Sequence, residues 1–113
     1  MGRAGVLIKS EPERGRIEGV KVHNCNIVAV QTGIRAESIL ELSCVQNHIN
    51  CTDAGVVAID ADQCFFLSNL IYHNHGTGKG ICVHGKNNVA TSHVISGNCV
   101  VGVQVLTHAC PAL

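Results

Sequence analysis

The chain has 113 residues, enough for one domain around one core. Its 8 Lys plus Arg balance 8 Asp plus Glu, so no net field draws in nucleic acid or anionic lipid. Aromatic residues are 3% with no Trp, which weighs against stacking on bases or sugars, and no apolar run approaches the ~18–20 residues of a membrane-spanning helix.

The N-terminal stretch MGRAGVLIKSEPERG has no extended apolar core before its charges, so it does not read as a secretory signal. Gly2 follows Met1, but Val6 stands where a myristoylation pattern wants Ser or Thr. Residues 1–13 read as a cap or partial repeat whose tail is Gly5-Val6, residues 14–108 as repeats, and 109–113 as a tail, all within one domain. A shift of about 22 residues superposes the copies. Ile17, Val20, Val22, Cys25 and Ile27 meet Ile39, Leu42, Cys44, Asn47 and Ile49, and Gly33-Ile34 meets Gly55-Val56. A third copy places Cys64, Phe66, Asn69 and Ile71 in those columns, and Gly80-Ile81 follows an insertion in the loop NHGTGKG. The fourth copy is looser: Ala90, His93 and Ile95, then Gly102-Val103.

Each copy holds two alternating segments, apolar-x-apolar-x-x-Asn-x-Ile and Gly-apolar-x-apolar (GIRA, GVVA, GICV, GVQV). Period-2 alternation predicts strands, and the Asn and Gly between them predict turns. The stretch ILELSCVQNHI at 39–49 also suits a leucine-rich-repeat-like solenoid. That fold needs a helical or extended return arm, however, and here a second alternating strand follows. The copies resemble those of right-handed parallel β-helix proteins, the pectate-lyase-like superfamily, over about residues 14–108. The resemblance implies an all-β fold, a short right-handed parallel β-helix solenoid of about four to five coils. It does not single out a function, because that superfamily includes lyases, hydrolases, epimerases, tailspikes and adhesins.

On this reading like positions stack about 4.8 Å apart. Ile27, Ile49, Ile71 and Ile95 form one buried column, and Ile34, Val56, Ile81 and Val103 another, with Ala36, Ala58, Val83 and Val105 pointing the same way. Cys44 and Cys64 act there as small apolar residues, and Asn47 and Asn69 form a turn ladder. Outward positions are Arg35 and Glu37, Val57 and Ile59, Cys82 and His84, then Gln104 and Leu106. An exposed apolar face of Val57, Ile59 and Leu106 predicts self-association into a homo-oligomer, and Phe65 and Leu67 raise the same question.

Chemical sites are less defined. His73, His75, Cys82 and His84 are the closest approach to a metal set, though their spacing matches no zinc motif, and the leading expectation is no metal and no cofactor. Asp53, Asp60 and Asp62 are the only acids that could serve catalysis, and Asp60-x-Asp62 also suits a charged turn. None of the catalytic tripeptides of polygalacturonases is present, so no catalytic residue carries over from the resemblance. Lys79 in NHGTGKG lacks the following Ser or Thr and helix of a phosphate loop. The loop remains a candidate ligand site through His73, His75 and Lys79. About 20 Å of stacked strands is short for a polysaccharide cleft. The sequence thus points to a non-catalytic interaction or structural module, self-associating and open to a carbohydrate or protein partner. The alternatives are a minimal or degenerate carbohydrate-active enzyme and a fragment of a phage or adhesin spike. Seven cysteines without a Cys-x-x-Cys pair suggest a reduced, cytoplasmic chain.

Overall fold

The computed structural model describes residues 4–11, 15–73, 79–85 and 93–101, with backbone only at 29, 30, 73, 79, 100 and 101. Among the described residues the secondary structure is all strand, and every strand pairing is parallel. The strands are β1 (Ala4–Lys9), β2 (Ile17–Glu18), β3 (Lys21–His23), β4 (Asn26–Leu40), β5 (Ser43–Val45) and β6 (His48–Asp62). β7 (Phe65–Leu67), β8 (Leu70–His73), β9 (Lys79–His84), β10 (Val94–Ser96) and β11 (Cys99–Val101) follow. The larger sheet has the order β1-β4-β6-β8-β11, with β2 also on β4 and β9 also on β6. The smaller has the order β10-β7-β5-β3. From β3 to β8 the chain alternates between the two sheets, so each visit lays a strand beside its predecessor.

The register follows the sequence copies. Ile27 pairs with Ile49 and Ile49 with Ile71, and Ile34 pairs with Val56 and Val56 with Ile81. Val22, Cys44 and Phe66 form the matching row of the smaller sheet. These rows face one another in a single apolar core that also takes in Ala36, Ile39, Leu42, Cys51, Ala58, Ala61, Cys64 and Val83. Each fully buried Ile, Leu or Phe contributes about 1.5–3 kcal/mol through surface removed from water. Alternation alone therefore decides which side of each strand faces inward.

The fourth copy departs from the expected alignment. Ile95 pairs with Phe66, not with the isoleucine row, and Val100 takes the place beside Ile71. Up to Gly80 the insertion is the expected one, since Val56 pairs with Ile81, but Val94 pairs with Phe65, which needs further inserted residues in between.

Glycines 33 and 55 also behave differently from turn residues. Both lie within continuous strands, β4 and β6. A Cβ on Gly55 would sit 2.7 Å from the Gly80 carbonyl oxygen and 2.7 Å from Ile71 Cγ2, and one on Gly33 would collide with Ile49 and the Gly55 carbonyl. Close approach of neighbouring strands, not a left-handed turn, demands these glycines. The true corners come elsewhere. Asn24, Gln46, Ser68 and Gly97 have φ of 56, 55, 56 and 68°, one after each short strand of the smaller sheet. Gly19, Glu41 and Gln63 form a second such set, and Ser38 and Asp60 a third.

The residues after the first set of corners form an asparagine ladder. Asn69 Nδ2 donates to the Cys44 carbonyl at 3.0 Å, and its Oδ1 accepts from both the Asn47 backbone N–H and Asn47 Nδ2. Asn47 repeats the pattern one step back, donating to the Val22 carbonyl and accepting from the Cys25 N–H. Asn98 repeats it one step forward, donating to the Phe66 carbonyl and accepting from the Asn69 N–H and Nδ2. Asn47 and Asn69 are buried, so these side chains satisfy corner groups that no water could reach.

Candidate functional site

Strand register fixes the outer surface of the larger sheet. Leu7, Arg35, Val57 and Cys82 fall in one row across β1, β4, β6 and β9, and Lys9, Glu37, Ile59 and His84 in the next. Exposure is graded along both. Leu7 is 61% exposed, whereas Val57, Cys82 and His84 are 3, 0 and 4% exposed. At the open end Arg35 Nε donates to Glu37 Oε2 at 2.9 Å. Leu7, Lys9, Gln31, Arg35 and Glu37 border a shallow groove of about 420 Å³ there. The expectation of an exposed Val57/Ile59 face does not describe the folded chain: Val57 is covered and Ile59 is half-buried. Leu106, the third residue of that expected face, lies outside the described residues.

Besides Leu7, Val28 and Tyr72 on the larger sheet, exposed apolar side chains lie on the smaller one. Phe65 and Val94 are paired neighbours on β7 and β10, 40 and 47% exposed. Val45 and Leu67, half-buried, form the adjoining pair on β5 and β7. Beside them a recess of about 220 Å³ is lined by Gln63, Cys64, Phe65, His93 and Val94. His93 Nδ1 accepts from the Cys64 backbone N–H at 3.2 Å, and its ring packs 6.4 Å from that of Phe66.

The acids do not converge on an open reaction site. Asp60 and Asp62 stand at the end of β6, where Arg16 Nη2 lies 2.7 Å from Asp60 Oδ1 and Nη1 lies 3.9 Å from Asp62 Oδ2. Arg16 was not among the sequence candidates. Its signal is positional: because Ile17 pairs with Ile39 and Ile39 with Ala61, Arg16, Ser38 and Asp60 share a column. The short Ser38 side chain lets the guanidinium reach past it. Asp53 is exposed and lies seven residues before Asp60, in the first half of β6.

No protein family, curated protein or solved structure matches this chain. Function must therefore be argued from the geometry.

Of the candidate metal ligands, Cys82 Sγ lies 4.0 Å from His84 Nε2, but Cys82 is disulfide-bonded, so it offers no thiolate ligand in this state. His73 is described only by its backbone on β8, Lys79 only by its backbone on β9, and His75 lies outside the described residues. Among the described residues no group of three or more His, Cys, Asp and Glu is placed to share a metal ion. The Cys82 bond also departs from the expectation of a fully reduced chain. Cys25, Cys44, Cys51, Cys64 and Cys99 are free thiols. Burial, with smaller contributions from Cys64 and Cys25, pushes Cys44 up to about 12, and burial with Asp53 nearby pushes Cys51 up to about 11. Burial also raises Cys64. Such thiols are poor nucleophiles. Among the described residues no helix is long and apolar enough to cross a membrane.

Proposed function

We propose that this chain is a short right-handed parallel β-helix of the pectate-lyase-like kind, acting as a non-catalytic interaction module that self-associates. The in-register parallel rows, two alternating sheets and recurrent corners support the coil reading. The observation that carries the function is the Phe65/Val94 pair. Two large apolar side chains stand side by side on a flat sheet face, with Val45 and Leu67 extending the patch. Contiguous exposed apolar surface of this kind is characteristic of an interface. A zero net charge leaves no long-range repulsion between copies, and sheet-on-sheet packing at about 10 Å would bury both strips. The scarcity of aromatics argues for a protein partner over a sugar.

The catalytic alternative loses support because the paired carboxylates already face Arg16, leaving neither acid unpaired at that corner. Light scattering coupled to size exclusion tests the proposal. Wild-type chain at high micromolar concentration should elute with the mass of a dimer or larger, and Val94→Lys should elute as a monomer. A wild-type monomer at that concentration refutes self-association.

A further inference from the structure

The open end of the larger sheet carries charged and apolar groups that the Phe65/Val94 patch on the other sheet does not use. β1 lies parallel to β4 there, so Leu7 stands beside Arg35 and Lys9 beside Glu37. Two residues along a strand span about 6.6 Å and neighbouring strands lie about 4.8 Å apart, which sets Lys9 and Arg35 diagonally about 8 Å apart at the backbone. Both side chains are long enough to converge on one group between the two rows.

Glu37 determines how Arg35 is presented. Its Oε2 accepts from Arg35 Nε at 2.9 Å. A guanidinium held at Nε keeps its Nη1/Nη2 edge for another partner, and among the described residues that edge has none. The edge is a planar two-donor fork, and its geometric match is a carboxylate. Lys9 is exposed and makes no hydrogen bond or ion pair among the described residues. Leu7, at 61%, is the most exposed large apolar side chain among the described residues. These groups border the groove of about 420 Å³, with the exposed Gln31 and the half-buried Thr32 further along it. That volume lies within the range of about 300–1,000 Å³ usual for small-molecule sites.

We infer that this groove binds the carboxylate of a small organic acid, with the Arg35 Nη1/Nη2 fork on both carboxylate oxygens, Lys9 as a further donor, and the acid's apolar body against Leu7. Charge selects a monoanion. Two cations and one carboxylate leave the groove with one positive charge, which a single carboxylate cancels. A phosphate monoester, at about −1.5 to −2, would exceed that charge and meet Glu37 at close range. Glu37 therefore has two effects: it aims the fork, and it disfavours dianions. The site stands apart from self-association through Phe65 and Val94, so a chain that stays monomeric leaves its readouts intact.

Titration of the full chain with benzoate, followed by two-dimensional amide NMR, tests the site. Shifts should saturate with a Kd of about 1–10 mM, the scale open to a ligand of this size, and should centre on residues 4–9 and 31–37. Arg35→Gln should raise the Kd about tenfold and Lys9→Gln about threefold or more. If Arg35→Gln fails to fold, Lys9→Gln carries the same reading, since that side chain is exposed and holds nothing in place. Benzyl alcohol, which keeps the ring without the charge, should give no saturable shift at these residues. Phenyl phosphate should bind more weakly than benzoate, and Glu37→Gln should narrow or reverse that order. Benzoate shifts that fail to saturate or centre elsewhere overturn the inference, as does a Kd unchanged in Lys9→Gln and in folded Arg35→Gln. Benzyl alcohol binding as tightly as benzoate, or wild-type chain preferring phenyl phosphate, overturns the carboxylate assignment.

Discussion

Asn69 is the position where removal of one side chain should be most costly relative to its size. It is 1% exposed. Its carboxamide joins three levels of the stack: Nδ2 donates to the Cys44 carbonyl at 3.0 Å and to Asn98 Oδ1 at 2.9 Å, and Oδ1 accepts twice from Asn47 at 3.0 Å. Asn69→Ala strips partners from two buried backbone groups, the Cys44 carbonyl and the Asn47 N–H. Asn47 Nδ2 keeps the Val22 carbonyl, and Asn98 Oδ1 keeps the Asn69 N–H. Each orphaned buried group costs about 1–3 kcal/mol, so the loss is about 2–6 kcal/mol. A water entering the vacated polar site moves it toward the lower figure. Against a typical stability of about 5–15 kcal/mol that is a large fraction. Urea titration followed by circular dichroism measures it, as a lower midpoint at unchanged slope. Asn98→Ala should cost less, because Asn98 is only half-buried, and the Asn47→Ala/Asn69→Ala pair should be non-additive by about 0.5–3 kcal/mol. A loss below about 1 kcal/mol for Asn69→Ala, or a larger loss for Asn98→Ala, refutes the view that the ladder holds the corners.

Gly55→Ala forces a methyl against the Gly80 carbonyl and Ile71, and the overpacking should cost about 1–3 kcal/mol in the same titration. Arg16→Ala should cost only about 1 kcal/mol or less, because the Arg16–Asp60 pair is partly open to solvent; a cost that persists unchanged in 1 M salt would contradict this. Cys44 gives a pH signature. Its folded value of about 12 lies above the unfolded value of about 9, so the folded chain holds the proton longer. Its contribution is therefore complete below pH 9. It is lost as pH rises toward 12, at about 1.4 kcal/mol per unit, and Cys44→Ala should flatten that alkaline slope in denaturation curves.

The strands, their parallel order and most of the register were legible because equal spacing and alternation determine them. Ile27, Ile49 and Ile71 meet because the two stretches between them are equal in length. The fourth copy was misaligned because Ala90 and Ile95 mimic the period across an insertion that lies between Ile81 and Val94. Asn98 held the correct signal, as the third member of the asparagine ladder, and its spacing from Asn69 measures the insertion. Glycines 33 and 55 looked like turns because a close approach between strands leaves no local trace in the sequence. Arg16 was overlooked because its partner lies two copies away, past Ser38. Val57 and Cys82 sit where alternation put them, opposite in parity to the core-filling Val56 and Val83, but their burial leaves no trace in the local pattern. Phe65 remained ambiguous until its pairing with Val94 put two apolar side chains on one face.

Photo-crosslinking tests the central claim most directly, because it asks which face meets a second copy. Benzoylphenylalanine placed at position 65 in the oxidised chain should give a covalent dimer on irradiation, with the crosslink on the partner's β5–β7–β10 face. The same probe at position 57 should give none. A dimer formed from position 57 and not from 65, or no dimer from either at high micromolar concentration, would contradict the account.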